Sequence, residues 1–83
     1  MNTESIIRLV ELCASGHGWS GATASTYAAG SGDFLGRLKR GHDITTRRAI
    51  RVTQWLSDHW PEGAEWPSDI PRPAPKQAQD RAA

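Results

Sequence analysis

The segment from Gly18 to Gly41 constrains the fold more than any other, because it is divided into two short pieces. Ser20 and Ser31 are residue types that cap the amino ends of helices, and Gly30 breaks the chain between them. This pattern predicts two short helices joined by a turn of about three residues. Helices joined so tightly must cross at a steep angle, which limits the size of the residues between them.

The side chains in this segment fit such a crossing. Small residues are needed where the two helices touch, and Ser25 and Ala29 stand at suitable places in the first helix. The second helix, predicted over residues 32–40, carries Leu35 and Leu38 as large apolar residues for its inner face. The segment therefore predicts a helix-turn-helix unit whose second helix exposes its other side.

Apolar residues at helical spacing predict one further helix on each side of this unit. The first lies near the amino terminus, where Asn2 or Thr3 can cap it, and Gly16 and Gly18 end it. The last begins after caps at Asp43 or Thr45 and ends at Pro61. The two stripes consist of Ile6, Leu9, Val10 and Cys13, and of Ala49, Val52, Thr53, Leu56 and Trp60.

Length and composition limit the domain organisation. The chain has 83 residues, enough for one domain, and its single cysteine, Cys13, forms neither an intramolecular disulfide nor a cysteine-based metal cage. Four prolines and an alanine-rich end follow Trp66. Since such a stretch buries little apolar surface, we expect residues 1–66 to form the folded domain and residues 67–83 to be a disordered tail.

No pattern is typical of a membrane protein, an enzyme or a metalloprotein. The apolar stretch near the start is interrupted by Arg8 and Glu11, which argues against a signal peptide or a membrane span. We therefore expect a cytoplasmic protein without a membrane partner. His17, His42 and His59 are scattered, and no nucleophile motif accompanies the serines. We expect no catalytic residues, no metal and no cofactor.

Basic charge is concentrated in one segment. The formal net charge is only +1, but from Arg37 to Arg51 six basic residues stand against one acidic residue, Asp43. Such clustering is typical of a surface that contacts phosphates. An ordinary solvated helix face is the alternative. The candidate phosphate contacts are Lys39, Arg40, Arg47, Arg48 and Arg51.

Part of this chain resembles a known family. The stretch SGDFLGRLKRG at residues 31–41 is similar to the second helix of the helix-turn-helix in the phage-repressor class, the Cro and lambda-repressor-like DNA-binding domains. A following helix with aromatic residues near its end, here Trp55 and Trp60, also suits that class. The resemblance covers residues 4–60 approximately. It implies an all-α, four-helix, lambda-repressor-like domain, followed here by a flexible proline-rich tail.

The resemblance also implies candidate DNA contacts. In that class the second helix of the unit enters the major groove of double-stranded DNA. Carried over by position, the base-facing residues are Ser31, Gly32, Asp33 and Arg37. Arg37 suits a bidentate contact to guanine, which is worth about 1–3 kcal/mol of discrimination between bases. The alternative is that Arg37 pairs with Asp33, four residues earlier.

Together these features predict a sequence-specific DNA-binding protein, a transcriptional regulator whose recognition helix lies at residues 32–40. Many proteins of the class bind as symmetric dimers, so we also expect a homodimer. The alternative is an interaction module that keeps the fold and docks on a polymerase subunit or a phage-type assembly component. Its protein partner would contact the tryptophan-rich C-terminal part.

Four tryptophans are many for so small a domain. Packing in the core is the expected use, with Trp66 folding back over the core as a lid. Stacking of unpaired bases on an aromatic ring is an alternative. Trp55 lies off the apolar stripe of the last helix, which suits a patch for dimerisation or for another partner.

Overall fold

The computed structural model describes residues 3–74, and this part of the chain is all-helical. Four helices follow one another: α1 (Thr3–His17), α2 (Gly21–Ala29), α3 (Phe34–Lys39) and α4 (Thr46–Asp58). No strand occurs among the described residues, which agrees with the predicted all-α, four-helix architecture. None of these four helices is long and apolar enough to cross a membrane.

One apolar core joins the four helices. α1 packs against each of the other three, and α2 also contacts α3 and α4. Most of the two predicted stripes is buried, while Ala49 and Trp60 are half-buried at the edge of the core. Cys13 is buried, as expected for a small apolar side chain. The buried stripe residues are Ile6, Leu9, Val10 and Cys13 in α1, and Val52, Thr53 and Leu56 in α4.

Local capping residues set the limits of α2 and the start of α4. The Ser20 side chain accepts a hydrogen bond from the Thr23 backbone N–H at 3.1 Å, and Gly30 ends α2 with a φ of +76°. The Thr45 side chain accepts the Arg48 backbone N–H at 3.1 Å. These three residues confirm the predicted helix ends. Each end could be predicted because the bonds that satisfy the helix-end groups join residues close in sequence.

α3 is shorter than predicted. The prediction placed the helix over residues 32–40 with Ser31 as its cap, whereas the helix spans Phe34–Lys39. The Ser31 hydroxyl donates to the carboxylate of Asp33 instead, and Asp33 occupies the capping position without a side-chain bond to the helix. This local bond competes with helical capping, so residues 31–33 form a turn.

The chain beyond Trp66 packs on the helices. We define residues 67–74 as the strap. Ile70 in the strap is only 4% exposed, and the Ser57 hydroxyl of α4 donates to the carbonyl oxygen of Pro73. The predicted domain end at Trp66 is therefore too early, because Ile70 gives the strap an apolar anchor and its prolines lower the entropy cost of ordering it. The rest of the predicted tail, residues 75–83, lies outside the described residues.

Trp66 closes the core beside the strap. Its ring lies 4.7 Å from that of Trp60, measured between centroids, and its indole N–H donates to the carbonyl of Ile70 at 2.8 Å. The Arg72 guanidinium carbon lies over the Trp66 ring, 5.3 Å from its centroid, and the guanidinium also donates a hydrogen bond to the Ser57 carbonyl at 3.0 Å. Trp66 thus acts as the expected lid.

Candidate nucleic-acid interface

A buried hydroxyl joins α2 to α3. Ser25 is fully buried, and its Oγ accepts the Leu35 backbone N–H at 3.2 Å while donating to the Gly21 carbonyl at 2.7 Å. A Cβ added to Gly21 would lie only 2.9 Å from Leu35 Cδ2, so the first turn of α2 also approaches α3 closely. Ser25 therefore stands at the contact between the two helices, as predicted, and Ala29 is half-buried nearby.

α3 presents two different faces. Phe34, Leu35 and Leu38 are buried, as predicted for its inner face. Arg37 and Lys39 are exposed on α3, and Arg40 is exposed directly after it. The buried face holds α3 on the core, so the outer face remains accessible to a ligand.

The four predicted base-facing residues lie in two places. Gly32 and Asp33 are exposed and Ser31 is half-buried, all in the turn before α3, while Arg37 is exposed on the helix itself. Within residues 3–74 the Arg37 guanidinium makes no hydrogen bond or ion pair, so the alternative pairing with Asp33 is not formed as a direct contact. The pKa of Asp33 is lowered first by the Ser31 hydroxyl, and further by the charges of Arg37 and Arg40.

The five predicted phosphate contacts differ in their availability. Lys39 Nζ forms an ion pair with Glu11 of α1 at 3.2 Å. Arg48 donates to the Ala29 carbonyl at 3.1 Å, and its guanidinium carbon lies 5.3 Å from the centroid of the Phe34 ring. Arg48 therefore braces the junction of α2, α3 and α4. The other three side chains are exposed, and they make no hydrogen bond or ion pair within the described part of the chain. They are Arg40, Arg47 and Arg51.

A groove of about 590 Å³ runs between the end of α2 and the first half of α4. We call it the basic groove. Three arginines line it and no acidic residue does, while its floor is made of small and apolar side chains. Its lining residues are Ala28, Ala29, Gly30, Thr45, Arg47, Arg48, Arg51, Val52 and Trp55.

A second cavity links the basic groove to α3. This smaller cavity of about 120 Å³ is lined by Arg37 and Ser31, and it shares Thr45 and Arg48 with the groove. Asp43, the one acidic residue of the basic segment, also lines this cavity. Arg37, the predicted base-reading arginine, therefore lines the same cavity as Arg48, which also lines the basic groove.

Five aromatic side chains from three parts of the chain pack together beside the basic groove. We call His17, Trp19, Tyr27, Trp55 and His59 the aromatic cluster. His17 stacks on Trp19 with centroids 4.1 Å apart, and His59 stacks on Trp55 at 4.3 Å. Trp19 and Tyr27 are 4.8 Å apart. Tyr27 was not singled out as a partner of Trp55, because the two residues lie in different helices. His59 follows Trp55 by four residues, and this helical spacing could have indicated their contact.

The two histidines of this cluster contact backbone carbonyl groups. The Nε2 atom of His17 lies 2.8 Å from the His59 carbonyl oxygen, and the Nδ1 atom of His59 lies 2.9 Å from the Trp55 carbonyl oxygen. Both are donor contacts to backbone, which orient the rings against the tryptophans. Among the described residues no three His, Cys, Asp or Glu side chains are grouped so that they could hold a metal ion.

Comparison of this chain with models of protein families, with curated proteins and with solved structures finds no match. What the surface around α3 binds must therefore be inferred from its charge and shape.

Proposed function

We propose that this chain is a sequence-specific DNA-binding protein, a transcriptional regulator that places α3 in the major groove of double-stranded DNA. The observation that carries the proposal is the cavity that Arg37 of α3 lines together with Arg48, an arginine that also lines the acid-free basic groove. Phosphate recognition depends on such clustered basic charge, and the net charge of the whole chain matters less.

The pairing of α2 with α3 supports a helix-turn-helix of the phage-repressor class. An α-helix fits the major groove, where the edges of the four base pairs differ. α3 is held on its inner face by Leu35 and Leu38, and it shows Arg37 to solvent. In this arrangement Arg37 reads a guanine, while Ser31, Gly32 and Asp33 face the neighbouring bases.

Phosphate contacts come from the arginines around α3 and the basic groove. Arg40, Arg47 and Arg51 are exposed and free of intramolecular ion pairs within residues 3–74. Lys39 joins them only when it leaves Glu11, which costs little because both side chains are half-exposed. Arg48 contributes mainly by holding α4 beside α2.

A homodimer on two half-sites completes the proposal. One small DNA-binding module buries only about 600–1,000 Å² of protein surface. Two copies related by two-fold symmetry read a palindromic site and double that contact area.

Docking on a protein is the second candidate function, and one exposed apolar surface favours it. Ile50 on α4 is 65% exposed, and it lines a groove of about 420 Å³ together with Ile44 and the strap residues Pro71 and Pro73. Large exposed apolar side chains beside a groove are typical of protein-binding surfaces. A polymerase subunit or a phage-type assembly component is the partner class for this alternative.

Titration into random-sequence duplex DNA at two salt concentrations separates the two functions. A DNA-binding protein binds at low salt and loses affinity steeply as salt increases, whereas a protein-docking module binds duplex DNA hardly at all. Absence of binding at low salt would overturn the proposal. Selection from a random oligonucleotide pool then identifies the preferred sequence.

Two substitutions test the assigned residues. Arg37→Ala should relax base preference at one position of the selected site, whereas Arg47→Ala should weaken all sequences alike. The matched control is Arg8→Ala, which removes an arginine that pairs with Asp69 away from the basic groove. If both test variants bind every duplex as tightly as the unmodified chain, these site residues are wrong.

A further inference from the structure

The aromatic cluster exposes a ring next to the basic groove. Tyr27 is 56% exposed, its ring plane is parallel to that of Trp55 within 1°, and the two centroids are 6.4 Å apart. Trp19 packs on Tyr27, and His59 stacks on Trp55, so both rings are held in place by their neighbours. This order lowers the entropy cost of stacking a further flat ring on the exposed tyrosine.

Basic side chains of α4 lie next to these rings. Trp55 forms part of the wall of the basic groove, and Arg47 and Arg51 lie one helical turn apart in the same groove. The adjoining groove contains Asp58, which accepts a hydrogen bond from Gln54 at 3.0 Å, but Arg47 and Arg51 line that groove too, so positive charge exceeds negative charge there. The aromatic side of the groove therefore favours an anionic ligand.

An exposed aromatic ring beside two arginines one helical turn apart suits one kind of polymer. A single-stranded nucleic acid supplies a π-face on every base and a negative charge on every phosphate, and such proteins combine stacking aromatics with a basic groove. A duplex keeps its bases stacked inside, so it cannot use Tyr27 in this way. An acidic peptide supplies the charge but not a repeated flat ring.

We propose that Tyr27 and Trp55, together with Arg47 and Arg51, bind an unpaired single-stranded nucleic-acid segment, its bases stacking on the rings and its phosphates pairing with the arginines. This site goes beyond the proposed contact of α3 with duplex DNA. It shares the groove arginines with that contact, but the aromatic rings belong to the single strand alone.

The test measures binding of a short fluorescein-labelled oligothymidylate to the full chain by fluorescence anisotropy at low salt. Tyr27→Ala should weaken this binding about fivefold or more, since one stacking aromatic contributes at least that much. Tyr27→Phe keeps the ring and should restore affinity to within about twofold. The matched control is Leu12→Ala, which removes an exposed apolar side chain of α1 and should have no effect.

Three results would overturn the inference. These are no oligothymidylate binding, equal affinity of the unmodified chain and Tyr27→Ala, or equally good competition by polyglutamate at matched charge. Circular dichroism must show that each variant is folded, and the exposed position of Tyr27 favours this outcome.

Duplex DNA binding, measured with the same proteins, separates this inference from the proposed function. Tyr27→Ala should bind duplex DNA normally, whereas Arg37→Ala should lose base preference on the duplex and keep its affinity for oligothymidylate. If the unmodified chain binds duplex DNA but not oligothymidylate, only this inference is rejected. The reverse result rejects only the proposed function.

Discussion

The Ser25 hydroxyl accepts the backbone N–H of Leu35 at 3.2 Å, ten residues later in the chain. The first N–H groups of a helix have no partner within the helix, so this bond satisfies one of them inside the core. The same hydroxyl donates to the Gly21 carbonyl. One small side chain therefore fixes where α3 sits against α2, and with it the direction of the surface that carries Arg37.

Removing this hydroxyl should destabilise the domain. Ser25→Ala leaves the buried Leu35 N–H without a partner, which costs about 1–3 kcal/mol of unfolding free energy. Thr26→Ala is the matched control, because the Thr26 hydroxyl makes a similar bond to Ala22 but is exposed, and its loss should cost under about 0.5 kcal/mol. Urea denaturation followed by circular dichroism measures both, and equal losses would contradict the role of Ser25.

The strap should contribute to stability through Ile70. Because Ile70 is buried, Ile70→Ala should lower the free energy of unfolding by about 2 kcal/mol or more. Ile50→Ala removes the same atoms from an exposed site and should change it by under about 0.5 kcal/mol. Thermal and urea unfolding of the two variants provide the comparison. Similar stabilities would show that the strap adds nothing to the folded state.

Gly36 offers a way to separate stability from DNA binding. A Cβ added at Gly36 meets only Arg40 Nη1, at 3.5 Å, so Gly36→Ala should stabilise α3 by about 0.5–1 kcal/mol. We expect the same variant to bind duplex DNA more weakly, because the methyl group projects from the outer side of α3. Urea unfolding and duplex titration measure the two effects. Unchanged duplex affinity would place the DNA away from Gly36.

The bond between Ser31 and Asp33 in the turn before α3 should affect the titration of Asp33. Since the pKa of Asp33 is lowered on folding, its contribution to stability is present above the unfolded value of about 3.9 and is lost as pH falls through the folded pKa. Ser31→Ala removes the main cause and should raise the titration midpoint of Asp33, measured by NMR of its carboxyl carbon. Arg37→Ala should raise it less, and a larger rise in that variant would contradict the assignment.

Cys13 should be unreactive in the folded protein. Burial raises the pKa of its thiol to about 11, and the thiolate is the reactive form. A disulfide reagent at a pH of about 8, close to the ordinary thiol pKa, should therefore modify the folded chain far more slowly than the chain in guanidinium. Equal rates in the two conditions would show that the thiol is not buried in the core.

Most of the fold was predictable because its signals are local. Ser20, Gly30 and Thr45 cap helices through residues a few positions away, and the two apolar stripes follow helical spacing. The length of α3 and the order of the strap depend on side-chain interactions that caps and apolar stripes do not reveal. A side-chain bond between Ser31 and Asp33 shortens α3, and the strap is ordered by contacts with Ser57 that are distant in sequence.

The candidate site was predictable in part for the same reason. The concentration of basic residues is visible in the sequence, and the structure brings Arg37 to the same cavity as Arg48, which also lines the basic groove. The partners of Lys39 and Arg48 come from α1 and α2, so their engagement required the tertiary structure. The aromatic cluster was missed as a unit, because its members come from separate segments that meet only after folding.

The bond from Arg48 to the Ala29 carbonyl affects how binding would respond to ions. Each phosphate that a protein neutralises releases condensed counterions and adds about −0.9 to the slope of log affinity against log salt. Contacts from all five predicted basic residues would give a slope of about −4.5 per protomer. With Arg48 bracing the fold, four contacts give a slope of about −3.6, and three give about −2.7 when Lys39 stays paired with Glu11. Because Arg48 holds α4 against α2 and does not contact a phosphate, it releases no counterions from DNA. The packing of α4 on α2 therefore makes DNA affinity less sensitive to salt.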